Sequence, residues 1–117
     1  MRKQMNPLSI KWQLLHDWTR ARPVGFDQEP GLIRFMRDDE IVYIGMESVS
    51  LSNFVRFSRA KGSSNGHAGG RLVYENRHDL TLEYAMLDVP RHELQSIRDA
   101  LREEFQPVFN FREPVFR

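Results

Sequence analysis

The stretch GLIRFMRDDEIVYIGM, residues 31–46, decides how this chain folds. It contains two apolar runs, residues 32–36 and 41–46, and the four residues between them are all charged. Short apolar runs that flank a polar turn are typical of two strands joined as a β-hairpin. The sequence therefore predicts a hairpin near the centre of the domain.

Helices are predicted on both sides of this hairpin. Before it, the apolar residues of positions 7–21 recur at a helical spacing, which predicts an N-terminal helix. After it, a serine-containing turn leads into an apolar face formed by Leu51, Phe54 and Val55. This arrangement predicts a second helix, which a serine would cap.

The second half of the chain predicts a loop, a strand and a long helix. Residues 61–70 hold four of the seven glycines and are predicted to form a loop, whereas residues 71–74 are compatible with a helix or a strand. Residues 80–89 alternate in polarity, as a half-buried strand does. Apolar residues at spacings of three and four predict a helix over 91–105, followed by an extended segment at 108–111.

The composition excludes several classes of protein. The chain has no cysteine, which rules out disulfides, thiolate zinc sites and cysteine nucleophiles. Its apolar stretches are much shorter than the roughly 20 residues that a membrane helix requires. The basic N-terminus is not followed by the apolar core of a secretory signal. We therefore expect a cytoplasmic protein without a membrane span.

Basic side chains are concentrated in one segment. Residues 49–78 contain five cations and one anion, Glu75. The cations are Arg56, Arg59, Lys61, Arg71 and Arg77. Most basic residues of the chain are arginine, whose planar guanidinium suits bidentate contacts with phosphate. The segment is therefore a candidate phosphate-binding surface, with genomic composition as the alternative explanation of the arginine excess.

The hairpin and the elements after it resemble the GIY-YIG endonuclease family. The tripeptides GLI (31–33) and YIG (43–45) stand where the two signature tripeptides of that family lie, and their spacing matches. A late helix followed by Pro107 and Asn110 is similar to the closing pattern of the family. The resemblance covers residues 31–110.

The predicted fold is α+β, with a small three-stranded, mixed or antiparallel sheet flanked by helices and an extra N-terminal helix. All 117 residues are expected to form one domain. Within it we distinguish an N-terminal helical extension at 1–29, the GIY-YIG-like module at 31–110 and a tail at 111–117.

The resemblance implies hydrolysis of a phosphodiester with one divalent cation, Mg²⁺ or Mn²⁺. In the family, a glutamate on the late helix holds the metal and an arginine after the second strand contacts the phosphate. The tyrosines position or activate the attacking water. Such groups are needed because the transition state is a dianion that requires cationic stabilisation.

Three positions depart from the family pattern. Ile33 replaces the first tyrosine, Phe54 falls where the arginine is expected, and Arg98 falls where the metal-binding glutamate is expected. A guanidinium cannot ligate Mg²⁺, whose sites require oxygen donors. These departures predict that cleavage is weakened or lost, and they leave the metal ligands unassigned.

The candidate catalytic residues are Tyr43, Arg56 and Asn110. Tyr43 either supplies a catalytic hydroxyl or is a strand residue with a structural role. Asn110 either holds the geometry of the site through hydrogen bonds or ends a turn. The candidate nucleic-acid-binding residues are Arg56, Arg59, Lys61, His67, Arg71 and Arg98. His67 either contacts phosphate or acts as a base, or it is a solvated loop residue.

Three functions are compatible with these observations. The first is a domain that binds nucleic acid, DNA above all, with weakened or lost phosphodiesterase activity. The second is an active Mg²⁺- or Mn²⁺-dependent DNA endonuclease whose residues have moved. It would use Tyr43, Arg56 or Arg59, and a carboxylate such as Asp99 or Glu103. The third is a protein-interaction module, which the near-neutral net charge and an aromatic tail with Phe109, Phe111 and Phe116 suggest.

Overall fold

The computed structural model describes residues 10–20, 29–58 and 68–111. Within these ranges the chain forms an antiparallel sheet of four strands, flanked by helices. The strands are β1 (Gln13–Leu15), β2 (Gly31–Arg37), β3 (Glu40–Glu47) and β4 (Thr81–Met86). The helices are α1 (Ala68–Glu75), α2 (Arg91–Phe105) and α3 (Val108–Phe111), with 3-10 helices at Leu51–Ser58 and Arg77–Asp79. The predicted α+β class is thereby confirmed.

The predicted hairpin is formed by β2 and β3. Gly31 pairs with Glu47 and Arg37 with Glu40, and the register shifts between Phe35 and Met36. The turn places Asp38 at a positive φ of 55°, a left-handed conformation that aspartate tolerates better than most residues. In space the strand order is β1-β4-β2-β3, so that β3 forms one edge of the sheet.

Both faces of the sheet are covered, which explains why β2 and β3 are almost continuously apolar. Successive side chains of a strand point to opposite faces. Ile33 and Tyr43 therefore pack in one cluster with the 3-10 helix and α1, whereas Leu32 and Ile44 pack in a second cluster against α2. The sheet is the wall between the two clusters.

Helix α2 has the bounds that its periodicity predicts. Its apolar face, formed by Leu94, Ile97 and Leu101, is buried against the second cluster. The helix ends at Gln106, which has a left-handed backbone with φ of 47° and donates its main-chain N–H to the carbonyl of Arg102. Pro107 is fully buried and begins the turn into α3.

The predicted N-terminal helix is wrong for the residues that the structure describes. Residues 13–15 form β1, which pairs with β4 and raises the number of strands from three to four. The apolar spacing that suggests a helix comes partly from Trp18, which is buried beyond the strand and donates its indole N–H to the carbonyl of Leu80 at 2.9 Å. Pairing with β4 thus overrides local periodicity. Residues 7–9 and 21 lie outside the described ranges.

Two shorter predictions also need correction. Residues 108–111 form the helix α3 and not an extended segment, and residues 68–70 belong to α1 and not to the glycine-rich loop. The undecided run at 71–74 is helical. The rest of the predicted loop, residues 61–67, lies outside the described part of the chain. In that part, none of the helices combines the length and the apolar character needed to cross a membrane.

Candidate functional site

Tyr43 lies on β3, and only 3% of its surface is exposed. Its ring contacts Phe35 and Phe57, with centroid separations of 5.9 and 5.5 Å. Two glycines enclose the ring from other sides. A Cβ atom at Gly45 would lie 2.9 Å from Cε2 of the ring, and one at Gly69 would lie 2.8 Å from Cε1. The ring therefore occupies a closely fitted slot that no larger residue at these two positions would leave intact.

The polar end of Tyr43 meets Arg102, which reaches across from α2. The guanidinium of Arg102 donates a hydrogen bond to the Tyr43 hydroxyl, and its Nε donates to the carbonyl of Ile44 at 2.9 Å. Burial lowers the pKa of Arg102, and the nearby Arg98 lowers it further, whereas Tyr43 and Asp99 act in the opposite direction. Arg102 thus joins α2 to β3 and is a partly desolvated cation.

Asn110 forms hydrogen bonds with the main chain of β3, the strand at the edge of the sheet. Its Oδ1 accepts the main-chain N–H of Ile44 at 2.7 Å, and its Nδ2 donates to the carbonyl of the same residue at 3.2 Å. The side-chain amide therefore bonds to β3 as a neighbouring strand would. Arg102 donates to the same carbonyl, so that α2 and α3 converge on one peptide group.

Arg98 lies one helical turn before Arg102 on α2, at the spacing that places two side chains next to each other. Its guanidinium holds Oδ1 of Asp99 through Nε at 2.9 Å and Nη2 at 2.8 Å. The side chain of Arg98 is 19% exposed and that of Asp99 is 58% exposed. We refer to Arg98 and Arg102 as the arginine pair. It forms a cationic corner beside Tyr43.

The side chains at this corner do not fit a divalent cation. Mg²⁺ takes oxygen ligands, whereas the corner offers two guanidinium groups and an asparagine whose amide is bonded to Ile44. The carboxylate of Asp99 is held by Arg98. Among the described residues, no group of three or more histidine, aspartate or glutamate side chains is arranged to hold a metal ion.

Two further positions of the predicted site are filled by core side chains. Ile33 and Phe54 are almost completely buried and pack in the same cluster as Tyr43. The resemblance expects a tyrosine hydroxyl at the first position and an arginine at the second. Both are replaced by apolar side chains that contribute to the stability of the core.

Arg102 links three of the predicted site residues, because it bonds to Tyr43, shares the carbonyl of Ile44 with Asn110 and lies close to Arg98. Arg71 is exposed on α1, where its Nε pairs with Glu75 at 3.2 Å. The other predicted residues lie outside what the structure describes: the side chain of Arg56, and Arg59, Lys61 and His67 altogether. Arg102 was not predicted as a site residue. Its position four residues after Arg98 on the predicted helix is the signal that would have identified it.

Solved structures of one protein share this arrangement of strands and helices. The GIY-YIG N-terminal endonuclease domain of UvrC from Thermotoga maritima, in a tyrosine-to-phenylalanine variant bound to the catalytic divalent cation, matches with a TM-score of 0.60 and 20% identity. The match covers 84% of this chain and 100% of that one. The chain has the GIY-YIG endonuclease fold. The fold resemblance predicted over residues 31–110 is thereby confirmed.

The same domain in other forms gives consistent GIY-YIG matches. An asparagine-to-alanine variant matches with a TM-score of 0.60 and 19% identity, over 84% of this chain and 100% of that one. The magnesium-bound domain matches with a TM-score of 0.58 and 21% identity, over 82% and 99% of the two chains. Neither protein-family models nor curated protein sequences match this chain. At this level of identity the comparison establishes the GIY-YIG fold alone.

Proposed function

We propose that this chain binds nucleic acid, DNA above all, through its GIY-YIG fold and that its phosphodiesterase activity is weakened or lost. The observation that supports this most directly is the arginine pair beside Tyr43. Arg98 stands where the resemblance expects a metal-binding glutamate, and Arg102 is held by Tyr43 and Ile44. The position at which the resemblance expects a metal ligand thus carries a cation in this proposal.

A phosphate group is the ligand that this corner favours. Burial deprives Arg102 of water, and the charge of Arg98 is close enough to lower the pKa of Arg102 further. A bound phosphate would offset both effects, since its oxygens accept charge-assisted hydrogen bonds from two guanidinium groups at once. Arginine stays protonated at neutral pH, so that the corner keeps its charge.

Weakened cleavage follows from the surroundings of the remaining candidate residues. The hydroxyl of Tyr43 is engaged by Arg102 at the end of a buried ring, and Asn110 is engaged by the edge of β3. We therefore assign both residues a positioning role and not the catalytic role that the sequence suggested. Arg56, Arg59, Lys61, His67 and Arg71 remain proposed contacts to the backbone of the nucleic acid.

Titration with a divalent cation tests whether the protein is an active nuclease. If the protein is active, Mg²⁺ or Mn²⁺ would need a relocated carboxylate such as Asp99, which is ion-paired with Arg98. We expect no cleavage of duplex, branched or single-stranded DNA when either metal is titrated into the purified protein. Metal-dependent cleavage that disappears in Tyr43→Phe and Asp99→Asn would establish the active endonuclease instead. The lack of cysteine is consistent with a cytoplasmic location.

Binding is tested by fluorescence anisotropy with labelled DNA in EDTA over a range of salt concentrations. Each arginine that contacts a phosphate of duplex DNA contributes about −0.9 to the slope of log affinity against log salt. Arg98→Gln and Arg102→Gln should each weaken binding and make this slope less steep by about one. Undetectable affinity for every DNA, even at low salt, would refute the proposed function.

Arg20→Gln is the matched control for both variants. It removes the same charge from an exposed side chain that follows β1, which lies at the opposite edge of the sheet from β3. Its affinity and salt slope should equal those of the unmodified protein. Far-UV circular dichroism of Arg102→Gln shows whether a loss of affinity reflects a lost contact or a lost fold, because Arg102 also bonds to Ile44.

A further inference from the structure

Exposed apolar side chains lie at the ends of the two helices that carry Arg102 and Asn110. Phe105 is 43% exposed at the end of α2, and Phe111 is 47% exposed at the end of α3. Val108, between them in sequence, is exposed to a similar extent. Phenylalanine is among the residue types most often buried, so that two exposed phenylalanines at the ends of consecutive helices mark a candidate binding surface.

The helical geometry places Phe105 in line with the arginine pair. Arg102 precedes Phe105 by three residues and Arg98 precedes it by seven, so that both lie within about 60° of Phe105 around the helix axis. Glu104 lies about 100° and Glu103 about 160° around the helix axis from Phe105, whereas Asp99 is ion-paired with Arg98 and offsets part of its charge. Arg98, Arg102 and Phe105 therefore form a stripe along α2 that is cationic and aromatic.

Phe111 lies at the end of α3. It directly follows Asn110, whose Nδ2 donates to the carbonyl of Ile44 that also accepts Nε of Arg102. These hydrogen bonds tie α2 and α3 to the same carbonyl of β3. Phe105 and Phe111 are the last residues of these two helices.

We propose that Phe105 and Phe111 form a stacking surface for unpaired bases while the arginine pair holds the adjoining phosphates. This inference rests on the proposed nucleic-acid binding and narrows it to single-stranded segments, including the unpaired arms of branched molecules. Exposed aromatic rings within a cationic groove are the usual means of binding single strands without sequence preference. A duplex keeps its bases stacked on each other and offers no free face to these rings.

Charge complementarity favours a single-stranded nucleic acid over a protein as the ligand of this surface. A protein partner or a second copy of this chain would also cover an apolar patch, but it would have to match two guanidinium groups, one of them partly desolvated. A single strand supplies anionic phosphates and aromatic faces at alternating positions along its length. Its phosphates therefore match the arginines of the stripe, and its bases match the phenylalanine.

The test compares the affinity of the full chain for single-stranded and hairpin-duplex oligonucleotides of equal length, with DNA and RNA versions of the single strand. The unmodified protein should bind the single strand more tightly than the duplex. The double variant Phe105→Leu/Phe111→Leu keeps apolar side chains but removes the aromatic faces. It should lose about fivefold or more in affinity for single strands for each base no longer stacked, with the duplex affinity unchanged.

Leu14→Ala is the control, since Leu14 is 45% exposed on β1 at the other edge of the sheet. It should leave both affinities unchanged. The inference would be overturned if the protein bound single strand and duplex equally well and the double variant changed neither affinity. The proposed binding through the arginine pair would still hold in that case. A molar mass that rises with protein concentration, and falls in the double variant, would assign the patch to self-association instead. Failure to bind any oligonucleotide would refute the proposed function itself.

Discussion

Replacing Asn110 with alanine tests whether its side chain supports the edge of the sheet. The variant removes the acceptor that holds the N–H of Ile44 at 2.7 Å and the donor that reaches the carbonyl of Ile44 at 3.2 Å. The carbonyl keeps its bond from Arg102. The N–H loses its partner, and a part-buried donor without one costs about 1–3 kcal/mol.

We therefore expect the free energy of unfolding to fall by about 2 kcal/mol, near the middle of that range. For a domain of this size, such a loss lowers the melting temperature by about 8 °C. Urea denaturation followed by tryptophan fluorescence measures the loss, because Trp18 is buried in the core and reports on its unfolding.

Asn76→Ala is the matched control for this measurement. Asn76 donates Nδ2 to the carbonyl of Leu72 at 2.8 Å, so that the variant removes one hydrogen bond at the end of α1. We expect a loss of about 1 kcal/mol or less, which is typical of a single hydrogen bond. If Asn110→Ala costs no more than Asn76→Ala, Asn110 does not support β3 as argued and its assignment as a positioning residue fails.

Two further substitutions test the slot around Tyr43 and its bond to Arg102. Gly69→Ala should lower the free energy of unfolding by about 1–3 kcal/mol, since the new Cβ would lie 2.8 Å from the ring of Tyr43 and 3.1 Å from the main-chain oxygen of Phe109; an unchanged urea midpoint would contradict the close fit. Tyr43→Phe should cost about 1 kcal/mol of stability and weaken DNA binding severalfold, because Arg102 loses the hydroxyl that orients it. If anisotropy detects no change in affinity, Tyr43 does not position Arg102 for binding.

Local sequence signals predict the elements whose stability is local. The hairpin at residues 31–46 and the helix α2 both carry regular apolar spacing, and both form as predicted. The signature tripeptides and the Pro107 to Asn110 spacing then identify the fold, because they mark the order of these elements along the chain. The prediction needs no information about contacts between distant residues.

Non-local contacts explain what could not be predicted. Residues 13–15 form a strand because β4 offers them a paired edge, whereas their own spacing favours a helix. The helix α3 has four residues, too few for its period to be read from sequence, although it carries Asn110 to β3. Arg102 gains its importance only from the approach of α2 to Ile44. Each of these features depends on residues far away in the chain.

The presence of the YIG tripeptide (43–45) therefore has a structural explanation that does not require catalysis. Tyr43 fills a slot whose walls are Gly45 and Gly69, and its hydroxyl holds Arg102. These contacts stabilise the fold whether or not a phosphodiester is cleaved. The positions at which the resemblance expects catalytic side chains, Ile33, Phe54 and Arg98, are the ones that differ, and Ile33 and Phe54 pack in the core instead. A chain that loses cleavage but keeps a nucleic-acid-binding fold would retain the packing residues and replace the catalytic ones. Packing is still needed for a stable fold when catalysis is no longer needed.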